Sequence, residues 1–370
     1  MQNTTTRHWI IAILLLILYS GPATAETAIP EDRNKAVILA YHRIGEDHLP
    51  DQSITTEQFE SHIKELVTGN YNIWPLEQII DALIKNDNIP ENTIALTFEG
   101  AHQSSLQKAF PLLQKNALPF TLFYSATPLD RKNPAYMSWD DLKTLAENKY
   151  ANIQTSPYTK AHIAHMPQQD ILRNINKARQ RHRETFNHET MFLSYPFGEY
   201  TNKFKKIAKT QGYKAALGLH SGTAHKGTDL FALPRFSMTE KYGNIERFRL
   251  ITKALPLPVF DLEPADTLLT SNTFNTGFTL PDALLKGSEK LSCFLSGQEE
   301  TKTERLGTRI EIRSPVIQNQ NRLRLNCTMP GPLSKDDEIQ WRWLGLLYHR
   351  AEINPATNKQ QQDEPLQPRE

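Results

Sequence analysis

A carboxylate that closes an apolar run is the clearest chemical signal in this chain. Thr93-Ile94-Ala95-Leu96-Thr97-Phe98 has the β-prone character of a buried strand, and it stops at Glu99 before the polar turn Gly100-Ala101-His102-Gln103. At the C-terminal end of a parallel strand, a carboxylate stands where loops converge and can act as a general base. Other polar groups fall at comparable positions. His42 and Arg43 follow one apolar run; Ser156, Tyr158 and Lys160 follow a second; Tyr195-Pro196-Phe197-Gly198 and His220 follow two more. His42 and His220 are therefore candidates to join Glu99 in catalysis. Tyr41, Tyr158, Tyr195, Pro196 and Phe197 are candidates to line a binding surface, because ring faces stack on flat or ring-shaped ligands.

Such a ring of groups needs alternating strands and helices beneath it. From Ala36 to about Thr252 the pattern supplies them. Strands are expected at Ala36–Tyr41, Ile73–Trp74, Thr93–Phe98, Phe120–Tyr124, Ala151–Thr155, Met191–Tyr195 and Ala215–Leu219. Between them lie helical patterns at Thr56–Thr68, Leu76–Lys85, Ser104–Lys115, Trp139–Asn148, Gln168–Phe186 and Lys203–Gln211. Repeated βα units of this size predict a parallel sheet curled into a closed or nearly closed barrel. Trp74 reads as core. The basic face of the long helix (Arg173, Lys177, Arg179, Arg181, Arg183) reads as solvated.

The rhythm breaks at Leu255-Pro256-Leu257-Pro258, and 255–270 reads as a stiff connector. Beyond it come strands at Gly277–Leu280, Leu291–Leu295, Arg309–Arg313, Arg322–Cys327 and Ile339–Leu347, a small antiparallel β-sandwich over 271–350. Trp341 and Trp343 are expected in its core or at its interface. The glutamine-bearing stretch 351–370 reads as a disordered tail.

Residues 1–25 have the form of a secretory signal: Arg7, the apolar run Trp9–Tyr19, and Ala23-Thr24-Ala25 before Glu26. The run is shorter than the roughly 20 residues a spanning helix needs, so no stable membrane anchor is expected. Arg7 is the only charged residue before Glu26, so residues 26–370 carry equal numbers of cations and anions. That balance argues against a nucleic-acid partner. The two cysteines, Cys293 and Cys327, are expected to form one disulfide in an oxidising compartment, here the periplasm.

Several stretches together resemble the NodB-homology polysaccharide deacetylase family. They are Ala36-Val37-Ile38-Leu39-Ala40-Tyr41-His42-Arg43-Ile44, Thr97-Phe98 with its following acid, Ser138-Trp139-Asp140-Asp141-Leu142, Tyr195-Pro196-Phe197-Gly198 and Leu233-Pro234-Arg235-Phe236. Within that family the nearest subgroup is the periplasmic poly-N-acetylglucosamine deacetylases. The resemblance implies an α/β fold, a deformed (β/α)7 barrel at 26–254, with activity on N-acetylated polysaccharide through a divalent metal such as zinc. The departures from the family pattern fall on the chemistry. Where the family has T-F-D-D-G, with a base and then a metal ligand, this chain has Glu99 at the base and Gly100 at the metal position. Where the family has S-H-T-x-x-H, the two histidine positions hold Ser156 and Lys160, or Ala161 in a register one residue longer. Glycine offers no ligand, a hydroxyl is a poor one, and lysine must lose its proton to coordinate. No cofactor is therefore expected, and the Lys160 ammonium either replaces the metal's charge and pairs with Glu99 or simply extends into solvent.

The function this implies is an exported, metal-free member that binds N-acetylated envelope or biofilm polysaccharide. One alternative is an active N-deacetylase with Glu99 as base. Another is an interaction scaffold whose sandwich docks an envelope protein.

Overall fold

The computed structural model describes residues 29, 32–271, 273–298, 301–314, 321–335 and 337–350. The expected signal segment 1–25 and tail 351–370 lie outside them. Strands β1 (Lys35–Tyr41), β2 (Thr93–Glu99), β3 (Phe120–Tyr124), β4 (Ala151–Thr155), β5 (Phe192–Ser194) and β6 (Ala215–Leu217) lie side by side in that order, each parallel to the next. The short β7 (Phe236–Ser237) lies parallel to β1 on its other side, and Leu233 just before it bridges to Leu217. Segment 233–237 thus draws the two edges of the sheet together, and the sheet curls as the βα repeat predicts.

Side chains alternate across each strand, and this sorts the core. Leu39, Tyr41, Leu96, Phe98, Phe120, Leu122 and Tyr124 pack outward, with Phe59, Ile63 and Leu66 of helix α1 (Thr56–Thr68). Ala36, Ile38, Ala95, Phe123, Phe192, Leu217 and Leu233 form a separate cluster on the opposite face, which also takes in Ile79 and Ile80 of α2 (Leu76–Lys85) and, as expected, Trp74. Burying a ring such as Phe98 contributes about 1.5–3 kcal/mol. Three further helices surround the strands: α3 (Trp139–Ala146), α4 (Gln168–Phe186) and α5 (Asn202–Thr210). The basic face of α4 is taken up by local ion pairs and ring contacts, with Arg181 on Asp130, Arg179 and Arg183 on Glu189, and Lys177 over the Tyr158 ring.

The second domain has two sheets. One is antiparallel: β8 (Phe260–Glu263), β9 (Phe274–Thr279), β11 (Lys302–Leu306) and β12 (Arg309–Ser314), in the order β8-β9-β12-β11. The other contains β10 (Ser292–Leu295), β13 (Arg322–Leu333) and β14 (Ile339–Arg350). Cys293 faces Cys327 across the β10–β13 pair, and the two form the expected disulfide.

Two expectations are corrected. Segment 255–270 is not a connector: Leu255–Pro256 and Leu268–Leu269 pair with β14, and β8 lies within it. A proline can occupy such a strand where its nitrogen is not needed by the ladder, which is why the Leu-Pro repeat misleads. These added strands run parallel to β14, so the sheet is mixed rather than antiparallel.

The two domains are joined closely. Gly222 bridges to Leu344, and a Cβ at Gly345 would meet the backbone of Ser221 at 2.2 Å, so only glycine permits this approach. Trp343 packs edge-on against Phe236, with ring centroids 5.2 Å apart. The interface role expected of this tryptophan is realised.

Candidate active site

The C-terminal ends of β2 and β5 and the closing segment before β7 place three side chains against one another. Glu99 accepts from Arg235 Nη1 at 2.5 Å and from the Ser194 hydroxyl. Arg235 also donates from Nη2 to Ser194 Oγ at 2.9 Å and from Nε to the Gly218 carbonyl at 2.8 Å. Its guanidinium lies over the Phe123 ring, 5.7 Å from the centroid, and its side chain is fully buried, while Glu99 keeps 13% exposure. A charge-assisted network of this kind fixes a carboxylate in direction. It leaves Glu99 one face open to the mouth.

The turn after Glu99 is clamped from the other side. Met137 donates to the Ala101 carbonyl at 2.8 Å, His102 bridges to Tyr136, and Gln103 donates to Asp141 at 3.1 Å. Asp141 also forms the capping box of α3 with Ser138. The Ser138-Trp139-Asp140-Asp141 stretch thereby positions the motif turn. Both Gly100 and Ala101 sit at positive φ, 92° and 48°. Strain of this sort concentrates where a turn must aim its groups. A Cβ at Gly100 would lie 2.6 Å from His102 Nε2. The imidazole of His102 thus fills the space a side chain at position 100 would use.

His42 is half-buried at the mouth, its carbonyl held by the Ser105 hydroxyl at 2.9 Å. Burial, then the charges of Lys160, Arg235, Arg324 and Arg322, push its pKa down to about 3. His102 is also held well below the ordinary imidazole range, by burial first and then by Lys160, Arg43 and His42. His220 is pushed down to about 4, chiefly by burial. All three rings are neutral at pH 7, and each has a buried Nδ1 without a hydrogen-bond partner among the described residues.

The structure therefore brings Glu99, His42, Lys160 and His102 into one electrostatic neighbourhood, with His220 nearby. It does not bring the other candidates there. Tyr41 is buried in the outer core, its hydroxyl 3.1 Å from His62 and its ring stacked on Phe98. Tyr195 is likewise buried, donating to the Phe231 carbonyl at 2.9 Å. Both corrections follow from strand parity, which aims neighbours on a strand to opposite faces: His42 and Ser194 turn inward, so Tyr41 and Tyr195 turn outward. Tyr158 donates to Asp130 at 2.8 Å and is covered by Lys177 at 3.7 Å, in the outer helical layer. Pro196 is buried, whereas Phe197, at φ 56°, stays partly exposed and stacks on His162 at 4.0 Å.

The expected pair between Lys160 and Glu99 does not form. Glu99 has Arg235 instead, and among the described residues no carboxylate lies within ion-pair distance of Lys160. Sequence reading missed Ser194 and Arg235. Arg235 was in view within Leu233-Pro234-Arg235-Phe236, whereas Ser194 lies 95 positions from Glu99 and carried no local signal.

The donor set does not fit the divalent metal the fold family implies. Gly100 has no side-chain donor, the space beside it is taken by a ring, and Ser156 and Lys160 offer no imidazole. Among the described residues, no cluster of three or more His, Cys, Asp or Glu could hold an ion.

Residues 86–216 match the family model described as polysaccharide deacetylase. YxkH of Bacillus subtilis (strain 168), assigned by name to the polysaccharide deacetylases, is 24% identical over 54% of this chain and 70% of its own. The poly-beta-1,6-N-acetyl-D-glucosamine N-deacetylase of Staphylococcus aureus is 19% identical over 56% of this chain and 80% of its own. Among solved structures, Streptococcus pyogenes deacetylase PplD aligns with a TM-score of 0.55 at 17% identity, covering 60% of this chain and 99% of that one. IcaB from Ammonifex degensii aligns at 0.54 and 20% identity, covering 60% and 98%. These likenesses share the barrel fold, and over residues 86–216 the chain is similar to the polysaccharide deacetylases.

Proposed function

We propose that this chain is an exported family member that holds N-acetylated envelope or biofilm polysaccharide in a mouth unable to hydrolyse it through a metal. The observation that carries this reading is the filled position beside Gly100, where the His102 ring takes the room a metal-binding side chain needs. Amide hydrolysis of the family's kind needs a cation that polarises the carbonyl and activates water. Neutral His42 and the clamped Glu99 are not cations, and the Lys160 ammonium cannot coordinate a water and lower its pKa as a metal ion does. They remain able to hydrogen-bond a saccharide. The disulfide supports an oxidising compartment such as the periplasm.

A rival reading has a working N-deacetylase with Glu99 as base. The clamp of Arg235 and Ser194 on Glu99 favours it, since a base must be held in place and aimed. The two separate when the full mature chain is incubated with N-acetylglucosamine oligomers and added zinc, cobalt or nickel. Binding measured by calorimetry with no metal-dependent acetate release is expected. Metal-dependent turnover abolished by Glu99→Gln would establish the rival.

A further inference from the structure

The sheet that carries β13 and β14 packs one face into the core of its own domain and turns the other to the barrel. On β10 and β13, Cys293, Leu295, Leu325 and Cys327 point into that core, so Ser292, Phe294, Arg322, Arg324 and Asn326 point the other way. This outer face meets the loops that leave β5 and β6, at the rim of the mouth. Arg322 donates to the Phe197 carbonyl, Arg324 donates to the Leu219 carbonyl at 3.1 Å, and Gly345 lies against the Ser221 backbone.

The barrel leaves β10 open, where Ser292 and Phe294 are both exposed. Phe294 pairs with Asn326 and Asn326 pairs with Gly345, so Phe294 stands two strand spacings, about 10 Å, from the covered glycine. It is also the diagonal neighbour of Arg324, about 7–8 Å away. At 66% exposure it is the most exposed large hydrophobic side chain among the described residues. A single exposed phenylalanine is ordinary. This one shares its face with the rim of the mouth and with an open amide. The Trp343 indole donates to Asn326 Oδ1 at 3.2 Å, and nothing among the described residues accepts from the Asn326 NH2 group. A ring open to solvent beside a fixed amide donor suits a sugar, whose apolar face stacks on the ring while its hydroxyl or acetamido oxygens accept from the amide. The ring's neighbours on this face are Ser292, Asn326 and Thr328, a polar surround that fits a hydroxylated ligand better than the apolar centre of a protein interface. The Cys293–Cys327 disulfide staples the four-residue edge strand to β13 and so keeps the platform in place beside the mouth.

We propose that this face extends the glycan path: a polysaccharide leaving the mouth past Leu219 crosses Asn326 and stacks a further sugar on Phe294. This rests on the reading that the mouth holds a polysaccharide, and it adds that the second domain binds units beyond the mouth.

Calorimetry on the full mature chain with N-acetylglucosamine oligomers, from disaccharide to hexasaccharide, tests it. Affinity is expected to rise with length, by about tenfold once the chain reaches the platform. Phe294→Ala is expected to remove that gain while leaving the disaccharide affinity and the urea unfolding midpoint unchanged, and Phe294→Trp to keep it. Asn326→Asp retains the acceptor for Trp343 and loses the amide donors, so it is expected to weaken the hexasaccharide and spare the disaccharide. Equal affinity across lengths, or a hexasaccharide affinity unmoved by Phe294→Ala, overturns the inference while leaving binding in the mouth intact. A concentration-dependent dimer in sedimentation that Phe294→Ala abolishes assigns the face to a second copy of the chain and overturns it as well. Failure of every oligomer to bind overturns both this inference and the reading beneath it.

Discussion

The two halves of the mouth are built differently although they are adjacent on one turn. At the base position, Glu99, Ser194 and Arg235 satisfy one another, and the arginine is wholly enclosed. One residue further on, Gly100 brings no group at all, the His102 ring takes the space beside it, and among the described residues no cluster of three or more His, Cys, Asp or Glu could hold an ion. The contrast teaches that directional precision and the capacity for metal chemistry are separable here. The clamp is also a structural tie across the barrel, linking β2, β5 and the closing segment, so it has a physical reason to exist without turnover. The metal half has no such second role.

Substitutions can break this comparison from either side. Arg235→Met should have the largest effect, because it strands a carboxylate inside the barrel and removes the seam's hydrogen bonds. A loss of about 3–5 kcal/mol is expected, read from urea unfolding midpoints. Gly100→Asp forces a side chain into the His102 ring at a backbone angle that favours glycine, and a loss of about 1–3 kcal/mol is expected. Pairing it with His102→Ala should recover part of that loss; no recovery would mean the ring is not what occupies the space. Ser194→Ala leaves both Glu99 and Arg235 one partner short, for about 1–2 kcal/mol. Lys160→Met should change stability by no more than about 0.5 kcal/mol, as fits a charge without a partner.

Acid should unsettle the histidine side of the comparison. His42 is pushed down to about 3, and His62, His182, His220 and His349 to about 4, each mainly by burial. In the unfolded chain these rings titrate near 6.5. Between about pH 6.5 and 4 the unfolded state therefore binds more protons than the folded one. The stability that neutral burial provides is complete above pH 6.5 and is lost as pH falls through that window. Urea midpoints at pH 7.5 and 5 should show the decline, and equal midpoints would contradict the neutral assignment.

The barrel was legible because its signal is periodic. Thr56–Thr68, Leu76–Lys85 and Gln168–Phe186 carry apolar spacing that fixes helices to the residue. The strand before Glu99 was equally plain, and so was the disulfide, since two cysteines allow one pairing. What stayed hidden depends on contacts between distant segments. Arg235 meets Glu99 across 136 positions of sequence, and no local pattern announces that meeting. Leu255–Pro256 read as a connector because its strand character comes from β14, more than eighty residues later. Tyr41 and Tyr195 were placed at the mouth by position alone, when a count of alternation from Glu99 would have turned them outward.

Zinc titration of the full mature chain, followed calorimetrically with acetate release measured in parallel, bears most directly on the central claim that this mouth cannot hold a catalytic ion. The account predicts no stoichiometric binding in the micromolar range and no acetate from N-acetylglucosamine oligomers. One equivalent of tightly bound zinc, accompanied by zinc-dependent acetate release and lost in Glu99→Gln, would contradict it.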